Sequence, residues 1–335
     1  MFSLQPLRHT STLPKFALGQ GLQLSAKEAS GSYPQRLPRV SGPQNRLRER
    51  SSHAPEGRDW TAEATWEIQR ATRKPTESLD AYDLYLRAVA QFHKYTEEGM
   101  REAVILAKRA LAIDPSYAPA AAIIGWCRLL QRLQGWDAVS DVAVAEAVLL
   151  ARGAVEAGRD DPDVLWMTAY TILFFAGENS TASGAIDRAL SLNPNSALAW
   201  WARGWVLGLQ NQIDPAIEAL QQSMRLNPLD PLAFLCTGGL AFAHWAMGRY
   251  EEALEWADRA LQAQPRYMIA MRIKLVCLAH VGRIEDARDW LKRALAIQPG
   301  LTVAVWKASF AATAFSPELR ARYVDSLREA GLPEE

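Results

Sequence analysis

The stretch Ala216-Ile217-Glu218-Ala219-Leu220-Gln221-Gln222-Ser223-Met224-Arg225-Leu226-Asn227-Pro228 places a small or aliphatic residue at 216, another four on at 220, a small one three on at 223 and a proline five beyond. The same spacing recurs in Ala103-Ala107-Ala110-Pro115, Leu150-Ala154-Ala157-Pro162, Ala182-Ile186-Ala189-Pro194, Ala253-Ala257-Ala260-Pro265 and Ala287-Leu291-Ala294-Pro299. Steps of four and three keep residues on one helix face, and small residues there let a facing helix come close. The proline then ends the helix, because it clashes with the preceding turn and biases the residue before it out of the helical region. Asp114, Asp161, Asn193 and Asn227 stand directly before prolines, a turn-initiating pair. The prolines are 47, 32, 34, 37 and 34 residues apart. A period in that range marks a solenoid whose repeats bury their apolar faces only by stacking on one another.

These residues resemble the tetratricopeptide repeat (TPR) family, in which a large residue and a glycine early in helix A precede an Ala-x3-apolar-x2-Ala helix B and a proline. Trp200, Gly204, Leu207, Ala216, Leu220, Ser223 and Pro228 carry the fullest match, whereas Tyr170 and Leu275 stand where the helix A glycine would be. The resemblance implies an all-α, right-handed α-solenoid of about seven antiparallel helix pairs over residues 79–335. The irregular 47-residue unit is expected to hold its extra residues, 136–147, in a longer helix B. The last pair, about 301–313 and 317–330, reads as a capping pair with Ser316 as N-cap and Pro317 in the first turn.

Ahead of the repeats, residues 1–59 hold nine Lys/Arg against four Asp/Glu, with six Pro, five Gly and eight Ser and no apolar period, and so read as a disordered leader. A linker helix is expected over about 60–73, within a linker running to residue 78. The leader lacks the continuous apolar run of a secretory signal, since Pro14, Lys15 and Gly19 interrupt 13–24. The longest apolar stretch, 164–176, is shorter than the roughly 18 residues that a membrane span needs. Cys127, Cys236 and Cys277 show no C-x-x-C spacing, which fits reduced thiols, and the expected compartment is the cytoplasm. The formal net charge of zero argues against a nucleic-acid partner, and no membrane partner is indicated.

Residues 73–87, RKPTESLDAYDLYLR, carry a second resemblance, to the entry of the TPR region that follows the effector domain in bacterial class III adenylate/guanylate cyclases and in certain winged-helix transcriptional regulators. In those proteins the TPR half senses or scaffolds and the catalytic or DNA-binding half lies upstream. That resemblance supplies an alternative function, a detached regulatory half whose effector domain is missing.

Catalytic signals are sparse. No phosphate-cradling, zincin or nucleophile-elbow motif occurs, and no cofactor or metal is expected. Five histidines are scattered through the chain; His244 and His280 could approach one another across adjacent repeats, near Cys236 or Cys277, but the favoured reading makes them ordinary helix-packing or groove side chains. Asn179-Ser180-Thr181 is formally a glycosylation sequon that here reads as a helix start.

Aromatic residues carry the function signal. Twelve tryptophans is many for 335 residues. By analogy with TPR proteins, helix A faces line a concave groove. The candidate set for it is Trp126, Met167, Phe174, Trp201, Trp205, Leu235, Phe242, Trp306 and Phe310, with Arg272 as the main charge among them. Such a groove suits an apolar or amphipathic protein segment. The competing reading makes the same rings core between helices. The Lys/Asn/Arg set by which some TPR proteins grip a terminal carboxylate is not visible. The favoured reading is a non-catalytic scaffold for protein–protein interaction.

Overall fold

The computed structural model describes residues 81–136, 139–311, 313 and 315–335. The leader, the linker and the start of the first repeat helix lie outside the described residues. Fourteen helices follow: α1 (Ala81–Phe92), α2 (Glu97–Ile113), α3 (Ala118–Gln134), α4 (Asp141–Ala157), α5 (Pro162–Ala176), α6 (Asn179–Leu192), α7 (Ala197–Leu209), α8 (Ile213–Leu226), α9 (Ala233–Ala246), α10 (Tyr250–Ala263), α11 (Met268–His280), α12 (Ile284–Ile297), α13 (Val303–Ser309) and α14 (Pro317–Glu329). They pack in consecutive pairs, and each odd-numbered helix from α3 to α11 also meets the odd helix of the preceding repeat. This is an all-α solenoid of the TPR type.

One repeated device ends the even helices. Asp114, Asn193, Asn227, Gln264 and Gln298 leave helical conformation while donating their N–H to the carbonyls of Ala110, Ala189, Ser223, Ala260 and Ala294. A proline follows each, two residues past the helix end, where it lacks the N–H that another turn would need. In two of these turns the side chain helps, since the Asp114 and Asn193 Oδ1 atoms accept from the N–H groups of Ser116 and Asn195 at 2.9 and 3.0 Å. Helix starts are capped in turn. Thr96, Ser140, Asp161, Ser196 and Thr302 each accept a backbone N–H with a side-chain oxygen.

The alanine stripes are the seams between paired helices. Ala103, Ala107, Ala110, Ala182, Ala189, Ala216, Ala253, Ala257, Ala260, Ala287 and Ala294 are fully buried. Gly204 extends the seam on α7, because a Cβ there would stand 2.6 Å from Leu220 Cγ on α8. The second repeat departs from the predicted register. Its buried stripe is Ala147-Ala151-Ala154, while Ala157 is exposed and Leu150 only half-buried. Pro162 accordingly does not follow α4 at the usual distance. It opens α5 at the first helical position with Asp161 as N-cap, where a missing N–H costs nothing. The extra residues of this repeat do not simply lengthen the second helix. Gly135, left-handed at φ 67°, ends a 17-residue α3, residues 137–138 lie outside the described residues, and α4, which starts at Asp141, is also 17 residues long.

The final pair differs from the expected cap as well. α13 is only seven residues long; Ser316 does stand as the N-cap of α14 with Pro317 in its first turn, but its side chain accepts no backbone N–H. α14 packs chiefly along α11, and more extensively there than against α13. Overpacking the seam is expected to be costly: Ala216→Trp or Ala253→Trp should each destabilise by about 1–3 kcal/mol in a urea unfolding series, while the far-UV spectrum stays helical.

Candidate functional site

Even and odd helices differ in how much of their surface is covered. α8, α10 and α12 bury single stripes. α5 is buried continuously over 164–175, and α9 and α11 bury nearly every residue. An inner helix of an open solenoid keeps a wetted stripe; these have none, so the space they face is filled. All ten predicted groove residues are buried, none more than 8% exposed.

The rings around the candidate set form two groups joined to one another where Tyr170 meets Phe174 at 4.8 Å. Trp126 meets Trp166, Tyr170 and Trp201 at centroid separations of 5.2, 5.4 and 5.3 Å, binding α3, α5 and α7 together. Trp205 stacks on Phe242 at 5.4 Å, joining α7 to α9. The second group continues into the last pair: Trp306 stacks on Phe310 and on Tyr323, Phe310 meets Phe174 at 6.0 Å, and Phe315 meets Phe242 at 5.8 Å. Six of the ten candidates, Phe174, Trp205, Phe242, Arg272, Trp306 and Phe310, border one cavity of about 30 Å³ together with Phe315 and Tyr323. Trp201 and Leu235 border a smaller crevice of about 10 Å³ beside Cys236. Met167 is core and borders neither.

The segment that packs over these inner-helix rings is residues 303–311, 313 and 315–335. Its polar contacts fall on the C-terminal ends of successive inner helices. Thr313 Oγ1 donates to the Phe174 carbonyl of α5 at 3.2 Å. The Ser316 N–H donates to the Leu209 carbonyl of α7 at 2.7 Å. Arg322 Nη2 donates to the Trp245 and Ala246 carbonyls of α9, and its guanidinium lies 4.7 Å from the Trp245 ring centre. On α11, His280 Nε2 pairs with Ser326 Oγ at 2.7 Å, and Nδ1 lies 3.6 Å from Glu329. Terminal carbonyls have no partner within their own helix, so each requires one from elsewhere. Arg272 serves α3 in the same way, donating to the Leu133 carbonyl at 3.0 Å. Its buried guanidinium is held below the usual arginine range by desolvation, and the negative end of α3 offsets part of that cost.

The opposite ends of these helices close by a different contact. Tyr95 meets Phe234 and Tyr267 edge-on at 4.8 and 6.3 Å, so the first repeat touches the fifth and sixth. Gln134 bridges them, donating Nε2–H to the Tyr95 hydroxyl at 2.8 Å and accepting the Met268 N–H at 2.9 Å. Neither this closure nor the helix-end contacts of Thr313, Ser316 and Arg322 leave a local sequence mark; Trp306, Phe310, Phe315 and Tyr323 within a short C-terminal span were the one legible hint.

The histidines and cysteines have packing roles here. His280 stacks on Tyr250 at 4.3 Å, and His244 lies against Trp256. Burial pushes the Cys127 and Cys236 thiols up to about 12 and Cys277 upward too, which suppresses the nucleophilic thiolate. Among the described residues no group of three or more His, Cys, Asp or Glu is placed to hold a metal ion. No helix among them is long and apolar enough to cross a membrane.

The tetratricopeptide repeat family model matches residues 171–231, 206–266 and 239–302. Together these matches span residues 171–302, within the TPR-type solenoid described above. Among solved structures the chain is similar to a chain of the APC/C hetero-tetramer Cut9–Hcn1, at 13% identity over 79% of this chain and 46% of that one, with a TM-score of 0.54. It thus spans about half of that chain's length, and the likeness is one of fold. It is also similar to a thermophilic TPR protein of Thermus thermophilus, at 20% identity over 59% of this chain and 98% of that one, TM-score 0.46. YrrB, described as a TPR protein with an unusual peptide-binding site, is 22% identical over 62% of this chain and 97% of its own, TM-score 0.34. No curated protein matches.

Two outcomes follow from this packing. Trp201→Ala should cost about 3–5 kcal/mol in denaturant unfolding, because it removes a ring that is 2% exposed and touches three others. Burial lowers the affinity of His244 and His280 for protons, partly countered at His280 by Glu329, with Arg322 acting in the same direction as burial. The unfolded chain then takes up protons first, so stability should fall as pH drops below about 6.5. A lower urea midpoint at pH 5.5 than at pH 7.5, with a smaller difference in His280→Gln, checks this.

Proposed function

We propose that the chain is a non-catalytic TPR scaffold that binds an apolar or amphipathic segment of another protein on its concave face. The carrying observation is that this face already holds a peptide segment, residues 303–335, through aromatic insertion and hydrogen bonds to inner-helix ends. A surface built to take such a segment in its own chain has the chemistry to take one from a partner. The candidate groove residues Trp126, Met167, Phe174, Trp201, Trp205, Leu235, Phe242, Arg272, Trp306 and Phe310 then divide by role. Phe174, Trp205, Phe242 and Arg272 border the cavity from the inner helices, Trp306 and Phe310 belong to the segment that covers it, and Trp126, Met167, Trp201 and Leu235 support it from outside.

The alternative reading as a detached cyclase or regulator half rests on residues 73–87, of which 73–80 lie outside the described residues; no structural observation favours it. Three unpaired, buried thiols fit the expected cytoplasmic setting.

Hydrogen exchange on the full chain, with and without a protein captured from the source cell, tests the scaffold reading. Changed protection is expected in the C-terminal halves of α5, α7, α9 and α11. Protection confined to α4, α6, α8, α10 and α12 would move the interface to the outer surface and overturn the concave-face reading.

A further inference from the structure

The covering segment says more than that the face is occupied. The C-terminal ends of α5, α7 and α9 present outward-pointing carbonyls in a row, and each helix end carries roughly half a negative charge. The groups that meet them are all donors: a hydroxyl from Thr313, a backbone N–H from Ser316 and a guanidinium from Arg322. Arg320 reaches back to the Thr313 and Phe315 carbonyls and holds the crossing in shape. Phe310 and Phe315 enter the aromatic cavity between these polar contacts, and Tyr323 lies between Trp245 and Trp306. The segment is also tied to itself. The N–H groups of Val303 and Ala304 donate to the Pro333 and Glu334 carbonyls at 2.8 and 3.0 Å, and Arg328 pairs with Asp325 and Glu334. Residues 303–335 are therefore a closed arm. It joins the solenoid through the turn at Pro299 and Gly300, and Gly300 is exposed with nothing near its Cβ position.

From this we infer that the arm is an exchangeable resident of the concave channel, and that the external partner it gives way to is a segment that combines aromatic side chains with an arginine, as Trp306, Phe310, Phe315, Tyr323 and Arg322 do here. The sign of charge is the specific content. The carbonyls at the ends of α5, α7 and α9 take donors, the Arg322 guanidinium among them, which is opposite to a TPR pocket that grips an acidic terminus. The tether sets availability. A linked segment competes at an effective concentration on the order of millimolar, so a free ligand of equal intrinsic affinity is held off until the arm is released. The inference rests on the concave-face reading, but its test needs no external partner.

A protease recognition sequence inserted between Gly300 and Leu301 allows the full chain to fold intact and be cut afterwards. The probe is a fluorescently labelled peptide of residues 301–335, followed by anisotropy. The cut protein should bind it saturably, and the uncut protein at least tenfold more weakly. A peptide carrying Arg320→Glu and Arg322→Glu should lose at least tenfold, whereas Arg320→Lys with Arg322→Lys should retain most of the binding. Circular dichroism before and after cutting shows whether the solenoid persists. Loss of helical signal on cutting would make the arm an integral cap and overturn the inference. Equal binding to cut and uncut protein, no binding to folded cut protein, or full binding of the glutamate peptide would each overturn it as well. In all of these failures the scaffold reading stands or falls separately, on the exchange footprint of a captured partner.

Discussion

A helix covered on every side needs neighbours in every direction, and that need organises this molecule. α5, α9 and α11 bury most of their residues, aromatic and aliphatic on α5 and α9 and chiefly aliphatic on α11. Their outer partners satisfy one side through alanine stripes that bring the axes close, and adjacent inner helices satisfy another. The third side faces the axis of the solenoid. Leaving Phe174, Trp205 and Phe242 in water there would forfeit about 1.5–3 kcal/mol each, a driving force that favours whatever segment can cover them.

The arm meets that need and a polar one together. Closing the channel with apolar residues alone would strand the terminal carbonyls of α5, α7 and α9, and an unpartnered buried carbonyl costs about 1–3 kcal/mol. Thr313, Ser316 and Arg322 supply the donors while Phe310 and Phe315 supply the rings. Covering the rings and capping the carbonyls are one act here.

The repeat architecture was legible because its determinants are local. A small residue at a seam position and a proline two residues past a helix end act within one repeat, whatever the others do. Where the pattern misled, a local competitor won: in the second repeat Gly158 ends α4 early and Asp161 caps a new helix, so Pro162 starts an element instead of following one. All ten candidate groove residues are buried, a state that helical spacing does not reveal. Helical spacing shows that Trp205 and Phe242 lie on inner faces, but it carries no information on what stands opposite them.

The sequence by itself determined a helical solenoid, its repeat length, its seams and an aromatic interior, since periodicity and turn chemistry depend on neighbours a few residues away. Tertiary structure alone decided that Tyr95 reaches Phe234 and Tyr267, that Arg272 caps α3, and that the chain's last described segment packs over the inner-helix rings. Those contacts join residues as far as 172 positions apart, as in the pair Tyr95 and Tyr267. They exist because small angles between successive repeats accumulate until distant helix ends meet, and that sum has no signature in any single window of the chain.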